Sequence, residues 1–125
     1  MTKTLEGHAD QRFDGELHAL HLNVLEMGSL ALDQSRVALQ ALMGLNKDLA
    51  KKVLDREPTV DSMEDRIDNS IVDLMTKRGP VSRDLRITIA FSKIVVDLER
   101  IGDEAAKIAH IVESLSDENQ QKPAK

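Results

Sequence analysis

The sequence predicts an all-α protein, an antiparallel three-helix bundle whose middle helix is broken near Pro58. Three observations lead there. Apolar residues recur at helical period in three long segments. Glycine and proline fall between those segments. The 125 residues include two phenylalanines and neither tyrosine nor tryptophan, so the core is aliphatic. Such a core suits long helices better than a β-sandwich, where aromatic and β-branched residues are enriched. A composition 41% hydrophobic and 31% charged fits a folded domain rather than a disordered chain.

The elements follow in order. Residues 1–9 read as a flexible arm, and residues 10–115 as the bundle. Phe13, Leu17, Leu20, Val24, Met27, Ala31, Ala38, Ala41 and Leu45 form the first stripe, with Gln34 its one polar break. Gly28 lies inside it, costs about 1 kcal/mol relative to alanine, and points to close helix packing. Asn46 is placed to cap a short helix through Leu49, Val53 and Leu54. Pro58 disfavours helix at Glu57 and removes a donor, so a break is expected there. Thr59 or Asp61 then caps a second segment with the stripe Val60, Met63, Ile67, Ile71 and Leu74, ending at Lys77-Arg78-Gly79-Pro80. The third stripe is unbroken: Ile87, Phe91, Ile94, Leu98, Ile101, Ala105, Ile108, Val112 and Leu115. Its 4-3 spacing predicts coiled-coil-like packing. Residues 116–125, polar and containing Pro123, read as a linker or tail.

Several functions are disfavoured. There is no cysteine, hence no disulfide, thiolate site or thiol nucleophile. A net charge of −5 argues against nucleic acid as the main partner. No apolar run approaches the roughly 20 residues that span a bilayer, and the first residues lack a signal-peptide core. A cytoplasmic protein without membrane insertion is expected. No glycine-rich phosphate loop, GxSxG or HExxH occurs, so an enzyme is not expected.

The chemistry-bearing residues are acidic pairs four apart. Glu64 and Asp68 stand on the middle helix, Glu99 and Asp103 on the third. Residues so spaced share a helix face, and like charges there repel unless a cation lies between them. Asp61 and Asp65 share the spacing. Antiparallel helices can bring such pairs together as an oxygen-only cluster for hard or borderline ions. By itself the spacing is a weak signal, and a solvated charged face is its commoner meaning. His18, His21 and His110 read as surface residues, and no Glu-x-x-His occurs to suggest a ferritin-like site. Leu85, Ile89 and Val96 face away from the main third stripe, which predicts self-association, most simply as a dimer.

Two longer motifs add a resemblance. Arg78-Gly79-Pro80-Val81-Ser82-Arg83-Asp84-Leu85-Arg86 resembles the RQP-x-x-x-DLR pattern of the PhoU family, with glycine in place of the usual glutamine. Asp97-Leu98-Glu99-Arg100-Ile101-Gly102-Asp103 is similar to that family's LERIGD hallmark. Phe13-Asp14-Gly15-Glu16-Leu17 and Met27-Gly28 resemble its opening helix. The resemblance covers roughly residues 12–115 and implies one of two tandem three-helix repeats, either an excised half or a natural single repeat.

It also implies metal ligands at Glu64, Asp68, Glu99 and Asp103, for iron, manganese, magnesium or zinc. The implied role is a negative regulator when phosphate is plentiful, acting between the phosphate ABC transporter and its ATPase and the phosphate-sensing histidine kinase. Asp84 and Arg86, at the start of the third helix, are the expected partner contacts, with helix capping the competing role. Arg100 is expected to pair with Glu104. A structural interaction module with solvated carboxylates is the alternative.

Overall fold

A computed structural model describes the backbone of residues 2–78 and 82–121 and the side chains of residues 14–76 and 83–118. Three helices account for it: α1 (Thr2–Gly44), α2 (Lys47–Arg78) and α3 (Ser82–Gln121), with no strand among the described residues. α1 and α3 run the same way, α2 runs against both, and each helix packs on the other two. The α2–α3 turn at residues 79–81, including the expected Gly79-Pro80 stop, lies outside the described residues, as does the Phe13 side chain.

α1 buries the predicted stripe. Leu20, Val24, Met27, Ala31, Ala38 and Ala41 are all inside, and so is Gln34, at 1% exposure. Gln34 Nε2 donates to the Val53 carbonyl at 2.6 Å, while its Oε1 finds no donor. The helix ends where Asn46 N–H bonds the Ala41 carbonyl, six residues closing on one, a Schellman-type stop. Leu45 therefore lies beyond the stripe, in left-handed backbone at φ 45°, where a glycine is usual.

α2 starts as expected: the Asn46 side chain accepts from Leu49 N–H at 3.1 Å. The break at Pro58 is not there, and the helix continues through it. Pro58 is exposed, and Val53 and Val60, two turns apart on either side, are both fully engaged in the core. Unwinding between them would give up that burial, which outweighs one lost backbone bond.

Both polar ends are helical where an arm and a linker were expected, since α1 begins at Thr2 and α3 continues to Gln121. Polarity decides which face is solvated, not whether a helix forms. Glu118, Gln120 and Gln121 are good helix formers, and the first true breaker, Pro123, comes later. Lys47 Nζ also bonds Asp117 Oδ1 at 2.5 Å, tying this stretch to the start of α2.

Every second position of the α3 seam is displaced by one residue: Phe91, Leu98, Ala105 and Val112 stand as expected, while Thr88, Val95, Gly102 and Ala109 take the places of Ile87, Ile94, Ile101 and Ile108. The buried positions are Thr88, Val95, Gly102, Ala105, Ala109 and Val112, joined by Phe91 and Leu98, again at 4-3 spacing. Ile94, expected inside, is 43% exposed, and Leu115 is exposed too. The small residues win because they allow close approach. A β-carbon on Gly102 would lie 3.4 Å from Val60 Cγ1, and one on Gly28 3.6 Å from Leu98 Cδ1. Thr88 is satisfied locally, its hydroxyl donating to the Asp84 carbonyl at 2.7 Å.

The core has two parts. One contains Leu20, Val24, Met27, Val60, Met63, Ile67, Ile71 and Val95. The other is alanine-rich: Ala38, Ala41, Ala50, Ala105 and Ala109 with Val37, Val53 and Val112.

Candidate functional site: an acidic face on α2 and α3

The unbroken course of α2 and the close α2–α3 packing at Gly102 put the acidic residues of the two helices across one seam. Glu64 and Glu99 are half-buried there, and Asp61, Asp68 and Asp103 are exposed around them. Burial, then a hydrogen bond shared with Glu99, then the charges of Glu99, Asp68 and Asp61 push Glu64 up to about 7. Asp68 is raised by burial and by Asp65 and Glu99. Asp61 is raised by burial and by Asp103 and Glu99 across the seam, and by Asp65. Carboxylates this near one another disfavour their own ionisation, and a proton or a metal cation relieves the repulsion.

All four residues of the two ExxxD pairs thus stand on one face, within electrostatic reach. Asp61 belongs with them, which the Asp61–Asp65 spacing hinted at. As placed, no three His, Asp or Glu side chains among the described residues converge to hold a metal ion. The donor chemistry is all-oxygen, fitting a hard cation.

The histidines stand elsewhere. The rings of His18 and His21 meet edge-on with centroids 6.4 Å apart, and His21 packs against Phe91 at 5.6 Å. His110 Nδ1 lies 3.8 Å from Glu113 Oε1. Asp84 occupies the first turn of α3, half-buried, and Arg86 is exposed. Glu104 pairs with Lys107 at 3.1 Å, not with Arg100 as expected. The sequence reading also missed an ion-pair knot between α1 and α2. Asp33 accepts from Arg36 at 2.5 Å and from Arg56 at 2.6 Å, and these bonds hold its carboxyl below the usual range. Asp33 and Arg56 line an open groove of 680 Å³ with Glu26 and Met63.

Residues 24–112 match the family model described as the PhoU domain. The chain belongs to the PhoU family. A phosphate-specific transport system accessory protein PhoU homolog from Burkholderia sp is 38% identical over 112 residues, 90% of this chain and 48% of that protein. The PhoU accessory protein of Escherichia coli K12 is 36% identical over 117 residues, 93% of this chain and 48% of its own length. The crystal structure of PhoU from Pseudomonas aeruginosa superposes with a TM-score of 0.82 at 39% identity, covering 85% of this chain and 51% of that one. The phosphate transport system regulatory protein PhoU from Streptococcus pneumoniae gives 0.77 at 31%, covering 90% and 52%. The chain therefore spans about half the length of the PhoU relatives it matches. The matched residues contain the whole acidic face. Among the described residues no helix is long and apolar enough to cross a membrane.

Proposed function

We propose that this chain is a PhoU-type, non-catalytic cytoplasmic regulator of phosphate transport and phosphate-starvation signalling. In this reading it is a metal-bearing adaptor between the phosphate transporter ATPase and the phosphate-sensing kinase. Family membership supports the setting, since its relatives are named as accessory proteins of phosphate-specific transport. The observation that carries the metal reading is the facing of Glu64 and Asp68 on α2 with Glu99 and Asp103 on α3.

Those residues, with Asp61, would hold the ion. Glu64 and Glu99 form the half-buried floor of the face, and the exposed aspartates form its rim. The proton that Glu64 retains near neutral pH is released as a cation takes its place. Iron, manganese, magnesium and zinc all suit oxygen donors, and a bound ion supplies positive charge able to recruit an anion such as phosphate. Half-buried Asp84 and exposed Arg86, at the start of α3, are the proposed contacts for the kinase or the ATPase.

Elemental analysis of protein purified without chelator tests the metal. Bound metal that is lost in Glu99→Ala/Asp103→Ala, with helix content unchanged, supports the site. Equal uptake by that variant removes it. For the partners, Asp84→Asn and Arg86→Gln should lower affinity for a cytoplasmic kinase or ATPase segment at unchanged melting temperature. Lost stability with binding intact would instead make them helix braces. One observation favours a second reading, a helical interaction module whose carboxylates remain protonated or solvated: no three donors among the described residues converge as placed. Metal-free protein in the same analysis would decide for it.

A further inference from the structure

The outer face of the α2–α3 seam does not end with its carboxylates. Counting antiparallel from the Glu64–Glu99 hydrogen bond, Asp68 comes level with Val96. Met75, eleven residues along α2, comes level with Ile89, ten residues back along α3. At 100° per residue Asp68, Val72 and Met75 lie within about 80° of Glu64 around α2. Ile89, Val96 and Asp103 lie within about 80° of Glu99 around α3. Val72 and Val96 are 60% and 52% exposed, and Met75 and Ile89 more than a third. One strip therefore carries exposed aliphatic side chains toward the α2–α3 turn and the carboxylates of Asp61, Glu64, Asp68, Glu99 and Asp103 beyond them. From Ile89 to Asp103 it runs about 21 Å, four helical turns.

Charge selects the occupant of such a strip. A nucleic acid or an anionic lipid surface meets the carboxylates with like charge. A second copy laid on it two-fold sets carboxylates against carboxylates if the strips run parallel, and carboxylates against valine and isoleucine if they run antiparallel. Both halves are complemented at once by an amphipathic helix with aliphatic residues on the facing positions of one half and lysine or arginine on those of the other. An ammonium or guanidinium group relieves the crowding of the carboxylates, and arginine can give two hydrogen bonds to one of them. We propose that the α2–α3 face docks a cationic amphipathic helix of a partner protein. Its apolar half lies on Val72, Met75, Ile89 and Val96, and its basic half over Asp61, Asp68 and Asp103. This deepens the adaptor reading above, resting on it only for the identity of the partner. It extends the contact from Asp84 and Arg86 along the seam.

The test uses a fluorescein-labelled, stapled helical peptide of about four turns, with leucine on the facing positions of one half and arginine on those of the other. Fluorescence anisotropy reads its binding to the full chain. Metal and basic residues answer the same carboxylates, so chelator is present and the outcome does not depend on the metal site. The peptide should bind, and the same peptide with glutamate for arginine should not. Val72→Ser/Val96→Ser and Asp68→Asn/Asp103→Asn, all at exposed positions, should each weaken binding roughly tenfold. Leu32→Ser, 63% exposed on the leucine-bearing back of α1, should leave it unchanged. Added salt should weaken binding to the parent more than to Asp68→Asn/Asp103→Asn. No binding, equal binding of the glutamate peptide, or unchanged affinity in Val72→Ser/Val96→Ser overturns the proposal. So does stronger adsorption to phosphatidylglycerol vesicles, or a dimer in sedimentation that Val96→Ser dissociates, since these give the face to lipid or to a second copy. Peptide binding by a chain that captures neither a kinase nor an ATPase segment keeps the docking face and removes the adaptor reading.

Discussion

The back of α1 and the outer face of α2 and α3 are both solvent-exposed, yet they fail to suit water in opposite ways. On α1, leucines stand where charges would keep a helix soluble. On α2 and α3, carboxylates crowd carboxylates until three are raised. Apolar surface calls for another apolar surface, and clustered negative charge calls for a cation. Neither feature helps the isolated bundle fold, and such local departures from what folding needs are where function is found.

The largest effect comes from removing what lies beneath the acidic face. Ile67, at 1% exposure, packs between the turns that carry Glu64 and Asp68. Ile67→Ala should cost about 2–5 kcal/mol in urea unfolding. A loss under 1 kcal/mol would mean that the α2–α3 seam is not held by this core.

Gln34 sharpens the contrast because it lies under neither face. Gln34→Met removes the unpartnered Oε1 and should raise stability by about 1 kcal/mol, since a buried acceptor without a donor is expensive. A loss would show that its bond to the Val53 carbonyl matters more than the orphaned oxygen.

Glu64→Gln isolates the acidic face. Because the folded-state value of Glu64 lies above its ordinary 4.5, its stabilising contribution is complete below 4.5 and lost as pH rises through about 7. Metal-free parent protein should therefore melt lower at pH 8 than at pH 5. Glu64→Gln should recover about 3 °C at pH 8 and nothing at pH 4. Melting curves across that range check it, and parallel curves for the two proteins would sink it.

The smallest effect belongs to the Asp33–Arg56 pair, about one-third exposed on each side. Arg56→Ala should cost about 0.2–1 kcal/mol at neutral pH. The cost should vanish as acid protonates Asp33, whose carboxyl is held below its ordinary value. A cost that is constant down to pH 2 would point to lost packing in place of lost charge.

Much of the fold was legible, and the exceptions have physical causes. Most of the α1 stripe was read correctly because Leu20, Val24, Met27, Ala31, Ala38 and Ala41 keep one 4-3 line and are all buried, while Leu45 fell outside it where the helix ends. In α3 the Phe91, Leu98, Ala105 and Val112 positions were read correctly, and the alternate ones were set one residue off because isoleucine outranks glycine, alanine and threonine on any apolarity scale. In a close-packed bundle the small side chains decide which line faces inward. Pro58 looked like a stop because local preference was weighed without the burial of Val53 and Val60 on either side. For the candidate site, i, i+4 spacing shows that two acids share one helix face. Whether that face meets another depends on the seam, so Asp61 could not be added from spacing alone. The leucines of α1 were present in the sequence as a second heptad set, overlooked because one apolar stripe suffices to explain a helix.

Gln34 and Pro58 lie at the waist of the bundle, where the large-residue cluster gives way to the alanine-rich one. Val53 belongs to one cluster and Val60 to the other, and Pro58 between them has no amide hydrogen to close the helical ladder. Cooperativity is weakest at that level. Amide protons of the two halves should exchange with solvent as two groups with different protection, so the bundle opens as two units before it unfolds as one.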